Sequence, residues 1–135
     1  MSQSPPPNYY GPDGSTTAPS IKSVADCRDV YEFLDDLVRP RPLMWVRGGS
    51  LRELETMLFG YSVALQMHSV SEEFAFGPNG PFCRWLFKEF RWGMACGWAW
   101  AIEDNLAEGE TAMDSFFRLL DQYRGVSGAQ QSSGL

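Results

Sequence analysis

Arg41-Pro42-Leu43-Met44-Trp45-Val46-Arg47-Gly48-Gly49-Ser50-Leu51, continuing through Leu54, Leu58, Tyr61 and Leu65, is the stretch on which the fold turns. Pro40 and Pro42 forbid helix continuation and push Arg39 and Arg41 toward extended backbone, so Leu43 to Val46 form a stiff connector. Gly48-Gly49 lets the chain turn. Ser50 with Glu53 is a helix-capping pair, and the apolar residues from Leu51 onward recur at helical spacing, which predicts a helix over 51–68. Gly60 inside it weakens a helix, and its expected use is close approach of another backbone.

The same period extends in both directions. Ser23 with Asp26 predicts a helix start, and Val24, Cys27, Val30, Tyr31, Leu34, Leu37 and Val38 give one stripe over 24–38. Residues 69–80, ending in Gly77-Pro78-Asn79-Gly80, read as a loop, and Pro81 opens a third helix carrying Phe82, Trp85, Leu86 and Phe90 inward. Met94 to Asn105 reads as a fourth helix, with an alternating strand as the competing assignment; alanine content favours helix. Thr111 with Asp114 caps a fifth helix, in which Ala112, Phe116, Leu119, Leu120 and Tyr123 face one way before Gly125 ends it. The expected architecture is a single all-α domain of about five short helices over residues 21–125. A disordered Pro/Gly/Ser-rich leader (1–20) and a flexible tail (126–135) flank it.

Composition bounds the chemistry. With 135 residues, 44% of them apolar and 14% aromatic, the chain can bury one core without metals or disulfides. Cys27, Cys83 and Cys96 are odd in number and lack C-x-x-C spacing, so they read as buried thiols of a reducing cytoplasm. No run approaches the roughly 18 apolar residues of a membrane span. The net charge of −6 disfavours direct nucleic-acid contact, which requires clustered cations, and points to a basic protein partner.

Catalytic patterns are missing. His68 is the single histidine, and although Glu72 lies four residues on, a zinc or di-iron site needs further ligands. His68 reads instead as the last residue of its helix. There is no G-x-S-x-G elbow and no P-loop. Glu32, Asp35 and Asp36, and a second group from Glu103 to Asp121, read as solvated helix faces. No catalytic, metal or cofactor-binding residue is therefore assigned. Trp and Arg are favoured at binding hot spots, so Arg41, Trp45, Arg47 and Trp92 are candidate protein contacts, and Glu103, Asp104, Glu108 and Glu110 are candidates for steering a basic partner. For Trp45 and Arg41 a structural alternative stays open, in which Trp45 plugs the bundle end and Arg41 caps helix carbonyls. Among the other tryptophans, Trp85 and Trp98 are assigned to the core.

Arg41-Pro42-x-Met44-Trp45, Gly49-Ser50-Leu51, Leu54, Gly60-Tyr61 and Ala64, Trp98-Ala99-x-Ala101-Ile102 and Phe116-Phe117-x-Leu119-Leu120-Asp121-x-Tyr123 together resemble a set of small bacterial proteins. These carry an R-P-x-M-Y-x-G opening, a G-Y helix and a closing F-F-x-L-L-D-x-[FY] helix. The resemblance covers about residues 28–124, with Trp45 in place of Tyr and Arg47 where Gly is usual. Some members of that set look like immunity proteins, so it implies binding and neutralisation of a bacterial toxin and transfers no catalytic residue. An accessory or docking subunit of a larger assembly is the alternative function. An enzyme built around His68 and Glu72 ranks third, and the oligomeric state is left open.

Overall fold

The computed structural model describes the backbone of residues 22–133 and the side chains of residues 22–126; the expected leader (1–20) lies outside the described residues. Six helices and no strand occur among them. They are α1 (Val30–Glu32, continuing as a π-helical segment over Phe33–Val38), α2 (Pro42–Trp45), α3 (Leu51–Met67), α4 (Pro81–Phe90), α5 (Trp98–Glu103) and α6 (Ala112–Ser133). Single 3-10 turns at Val24–Asp26 and Arg47–Gly49 join the set. The all-α expectation holds.

Local signals placed three of these helices. The Ser50 side chain accepts the Glu53 amide at 3.3 Å and starts α3, and Pro81 occupies the first turn of α4. The Thr111 hydroxyl accepts the Asp114 amide at 3.1 Å and opens α6.

At other places long-range partners overrode the local reading. The Ser23–Asp26 capping box forms but governs only the 3-10 turn. The first helix starts instead at Asp29, whose carboxylate accepts the Glu32 amide at 3.0 Å, while the Val30 amide donates to Glu72, 42 residues away, at 3.0 Å. Residues 94–97 form a turn, and α5 begins only at Trp98. Gly125 does not end α6, which runs on to Ser133; a mid-helix glycine costs about 1 kcal/mol, a penalty rather than a stop. Gly60 also departs from expectation, because a Cβ built there meets no atom from outside its own helical turn within 4 Å among the described residues. No other described backbone approaches it, so Gly60→Ala is expected to raise stability by about 0.5–1 kcal/mol in chemical denaturation.

The core is aromatic. Phe82 of α4, Trp98 of α5 and Phe116 of α6 are fully buried, with ring centroids 5.0–5.8 Å apart. Phe76, from the segment read as a plain loop, packs against all three at 5.6–6.1 Å. Its carbonyl accepts the Trp98 indole N–H at 3.0 Å, which satisfies the polar atom of a fully buried ring. Val30, Leu34 and Val38 of the first helix and Leu51, Leu54 and Leu58 of α3 complete the enclosure. Phe90, expected inward, is more than a third exposed, since α4 ends there and Arg91 takes a left-handed φ of 61°.

Ion pairs tie the first helix to the last across the outside. Arg39 forks onto Asp121 at 3.0 and 2.6 Å, and Arg124 reaches Asp35 at 2.6 Å, so the first and last helices exchange one arginine each. Each guanidinium also covers a ring, Phe117 at 5.1 Å and Tyr31 at 4.6 Å. Lys22 and Arg28 both bind Glu32; hydrogen bonding from Lys22 first, then Arg28, pushes the Glu32 carboxyl down to about 2. A depressed carboxyl stabilises the fold above its unfolded value of about 4.3 and loses that contribution as pH falls toward 2. Glu32→Gln is therefore expected to flatten the acid limb of thermal midpoint against pH between about 4 and 2, and an unchanged limb would refute the assignment.

Candidate protein-binding surface

The proline-bounded connector is built as a small platform. Leu37 and Val38 are buried at one end and Val46 at the other, so the segment between is anchored on both sides. Pro42 supplies the first turn of α2, and the Val46 amide closes it by donating to the Pro42 carbonyl at 2.8 Å. Gly48 and Gly49 turn the chain with φ of 62° and 65°, and Leu43 rests over Gly49, where a Cβ would lie 3.2 Å from Leu43 Cδ2. Anchoring leaves little freedom to lose on binding.

What this platform presents differs from the residues singled out by pattern. Trp45 is half-buried, with its ring edge-on to Phe33 at 5.7 Å, so it supports the platform more than it offers contact. Leu43 and Met44 are the exposed apolar groups, at 76% and 55%. Arg41 and Arg47 flank them, both exposed, and neither forms an ion pair among the described residues. Capping by Arg41 of helix carbonyls is not observed. The signal for Leu43 and Met44 was present in the sequence, as apolar residues in a stretch too short to bury all of its side chains.

The other candidates lie elsewhere. Trp92 follows α4, half-buried and stacked on Phe90 at 4.6 Å, next to Arg91 over the Phe87 ring. Glu103 is taken by Arg52 at 2.6 Å, and Glu110 by Arg118 at 2.7 Å, which lowers the Glu110 carboxyl below its usual range. Asp104 and Glu108 stay exposed without an ion pair among the described residues, so within the loop from α5 to α6 they hold the uncompensated charge. No hydrogen bond or ion pair among the described side chains joins the connector to this loop.

A cleft of about 540 Å³ separates α3 from the segment before α5, with Glu55, Phe59, Phe76, Cys83, Cys96 and Trp98 among its walls. Glu55 and Cys83 in it are engaged structurally. Half-buried Glu55 accepts the Trp98 amide at 3.0 Å, and also that of Ala99, and so caps α5 from across the cleft; burial pushes its carboxyl pKa up. The Cys83 thiol, raised by burial and 3.7 Å from the Gly77 carbonyl, is protonated at neutral pH. Cys96 is exposed on the 94–97 turn and Cys27 half-buried outside any helix, which corrects the reading of all three as buried helical thiols. His68 caps the C-terminus of α3, while Glu72 accepts from Tyr61 and Val30, so the two form no pair. Among the described residues no group of three His, Cys, Asp or Glu side chains is placed to hold a metal, and no helix is long and apolar enough to cross a membrane.

Compared with protein-family models, with curated proteins and with solved structures, the chain matches none.

Proposed function

We propose that this chain is a non-catalytic protein-binding module, of the immunity or antitoxin kind, that neutralises a basic bacterial toxin by covering part of its surface. The observation that carries this reading is the anchored platform with Leu43 and Met44 outward between exposed Arg41 and Arg47, which form no ion pair among the described residues. Exposed apolar side chains on rigid backbone, rimmed by arginine, have the composition of an interface centre. The Arg41-Pro42-x-Met44-Trp45 and Phe116-Phe117-x-Leu119-Leu120 likeness to immunity-like proteins supports the same class. Asp104 and Glu108 favour a basic partner and would speed encounter. The fitting partner has an apolar hollow edged by carboxylate or carbonyl acceptors for the two arginines.

The test compares the wild-type chain with Leu43→Asp/Met44→Asp in capture from native lysate, followed by co-expression with the protein captured. The wild type is expected to retain a basic protein and relieve its toxicity. The variant is expected to lose about 2 kcal/mol of affinity, roughly 30-fold, with an unchanged thermal midpoint because both side chains are exposed. Equal capture and equal protection by the variant would remove the platform from the account.

A further inference from the structure

Helix α3 is apolar on two opposite faces. Leu51, Leu54 and Leu58 enter the core, whereas Thr56, Phe59, Gly60, Val63, Ala64 and Met67 lie on the far side of the helix at 3.6 residues per turn. Of these, Phe59 is 56% and Met67 74% exposed. Thr56, Gly60, Val63 and Met67 repeat at spacings of four, three and four, the seam pattern of a helix meant to meet another helix. Thr56 and Phe59 border the cleft before α5 at the edge of this face, while Gly60, Val63, Ala64 and Met67 are exposed among the described residues.

We propose that the outer face of α3 joins a second copy of this chain, antiparallel, about a two-fold axis passing between Gly60 and Val63. Charge selects the occupant. From Thr56 to Met67 there is no Asp, Glu, Lys or Arg, although the whole chain carries −6. A basic partner finds nothing here to attract it, while two copies that repel elsewhere can approach at this one neutral strip. Gly60 is the second observation. It is a helix-weakening residue with open space over its Cα, so packing among the described residues gives no use for the missing Cβ. A hollow at Gly60 and Ala64, beside the projecting Phe59, Val63 and Met67, is self-complementary under a two-fold, as an isologous interface requires. The antiparallel sense separates the charged first turns, Arg52, Glu53 and Glu55, and sets each helix N-terminus against its partner's C-terminus.

The size of the face sets the strength. Thr56 to Met67 spans about 17 Å of helix at 1.5 Å per residue, a short contact that predicts weak, reversible association. This inference is independent of the Leu43–Met44 platform, which lies outside α3.

The full chain should be followed by sedimentation equilibrium from about 1 to 200 µM, the range that brackets such an interface. A monomer–dimer equilibrium is expected. Val63→Glu should weaken it at least tenfold. Gly60→Leu should weaken it similarly while leaving the thermal midpoint of the dilute protein equal or higher, because a Cβ at this position meets open space among the described residues. A wild type that stays monomeric throughout overturns the proposal. So does a dimer that Gly60→Leu and Val63→Glu leave intact, since that dimer would use another surface.

Discussion

Phe76→Ala is expected to destabilise the protein by about 3–5 kcal/mol, the range for removing a fully enclosed aromatic ring, and to lower the thermal midpoint by at least roughly 12 °C. Phe76 sits outside every helix, yet its ring touches Tyr31, Phe74, Phe82, Trp98 and Phe116, and its carbonyl holds the Trp98 indole. Truncation leaves a cavity bordered by rings from α1, α4, α5 and α6, which cannot all collapse into it. Near-ultraviolet circular dichroism through the melt reads both the loss of ring packing and the midpoint. A cost below 1 kcal/mol would mean that the 69–80 segment is a removable cover.

The second large effect is expected at Gly97, where Gly97→Ala should cost about 2–4 kcal/mol. The residue holds φ at 94°, a conformation that strains side-chain-bearing residues by about 1–3 kcal/mol. Its new Cβ would also lie 2.5 Å from Glu55 Oε2. That carboxylate is the far end of a flexible side chain, but it is held by the Trp98 and Ala99 amides, so yielding means uncapping α5. Breaking a half-buried, charge-assisted hydrogen bond adds roughly 1–3 kcal/mol. The Glu55→Ala/Gly97→Ala double variant should then cost clearly less than the sum of the two singles, because the clash and the cap share one carboxylate. Strict additivity in urea denaturation would show that the backbone strain acts alone.

These two residues mark where sequence reading stops. Helix starts that depend on a neighbour three residues away, Ser50 with Glu53 and Thr111 with Asp114, were legible, as were the proline at Pro81 and the Leu51–Leu54–Leu58 stripe. Phe76 was not, because its neighbours come from elements up to 45 residues distant and no local period marks a buried loop. The boundary of the first helix was missed for the same reason. Ser23 carries the stronger local signal, but the Val30 amide is claimed by Glu72. Residues 94–97 read as helix until Glu55, 42 positions earlier, imposes the Gly97 turn. At the candidate surface, pattern reading found the segment and misplaced the residues within it: tryptophan content pointed to Trp45, whereas packing turned Trp45 onto Phe33 and Leu43 and Met44 outward. Charge counting could not tell that Glu103 and Glu110 are already engaged by Arg52 and Arg118.

The exchange of arginines between the first and last helices has a consequence in time. Arg39 and Asp121 are 82 positions apart, and Asp35 and Arg124 are 89 apart. At about 5–20 residues synthesised per second, α1 is made roughly 4–18 s before the partner that secures it. During that interval Arg39 and Asp35 lack their α6 partners, and a helix this short is marginal by itself. The first helix therefore waits without these ties until α6 is made, and a slow codon run just upstream of α6 would lengthen its exposure to chaperones and proteases.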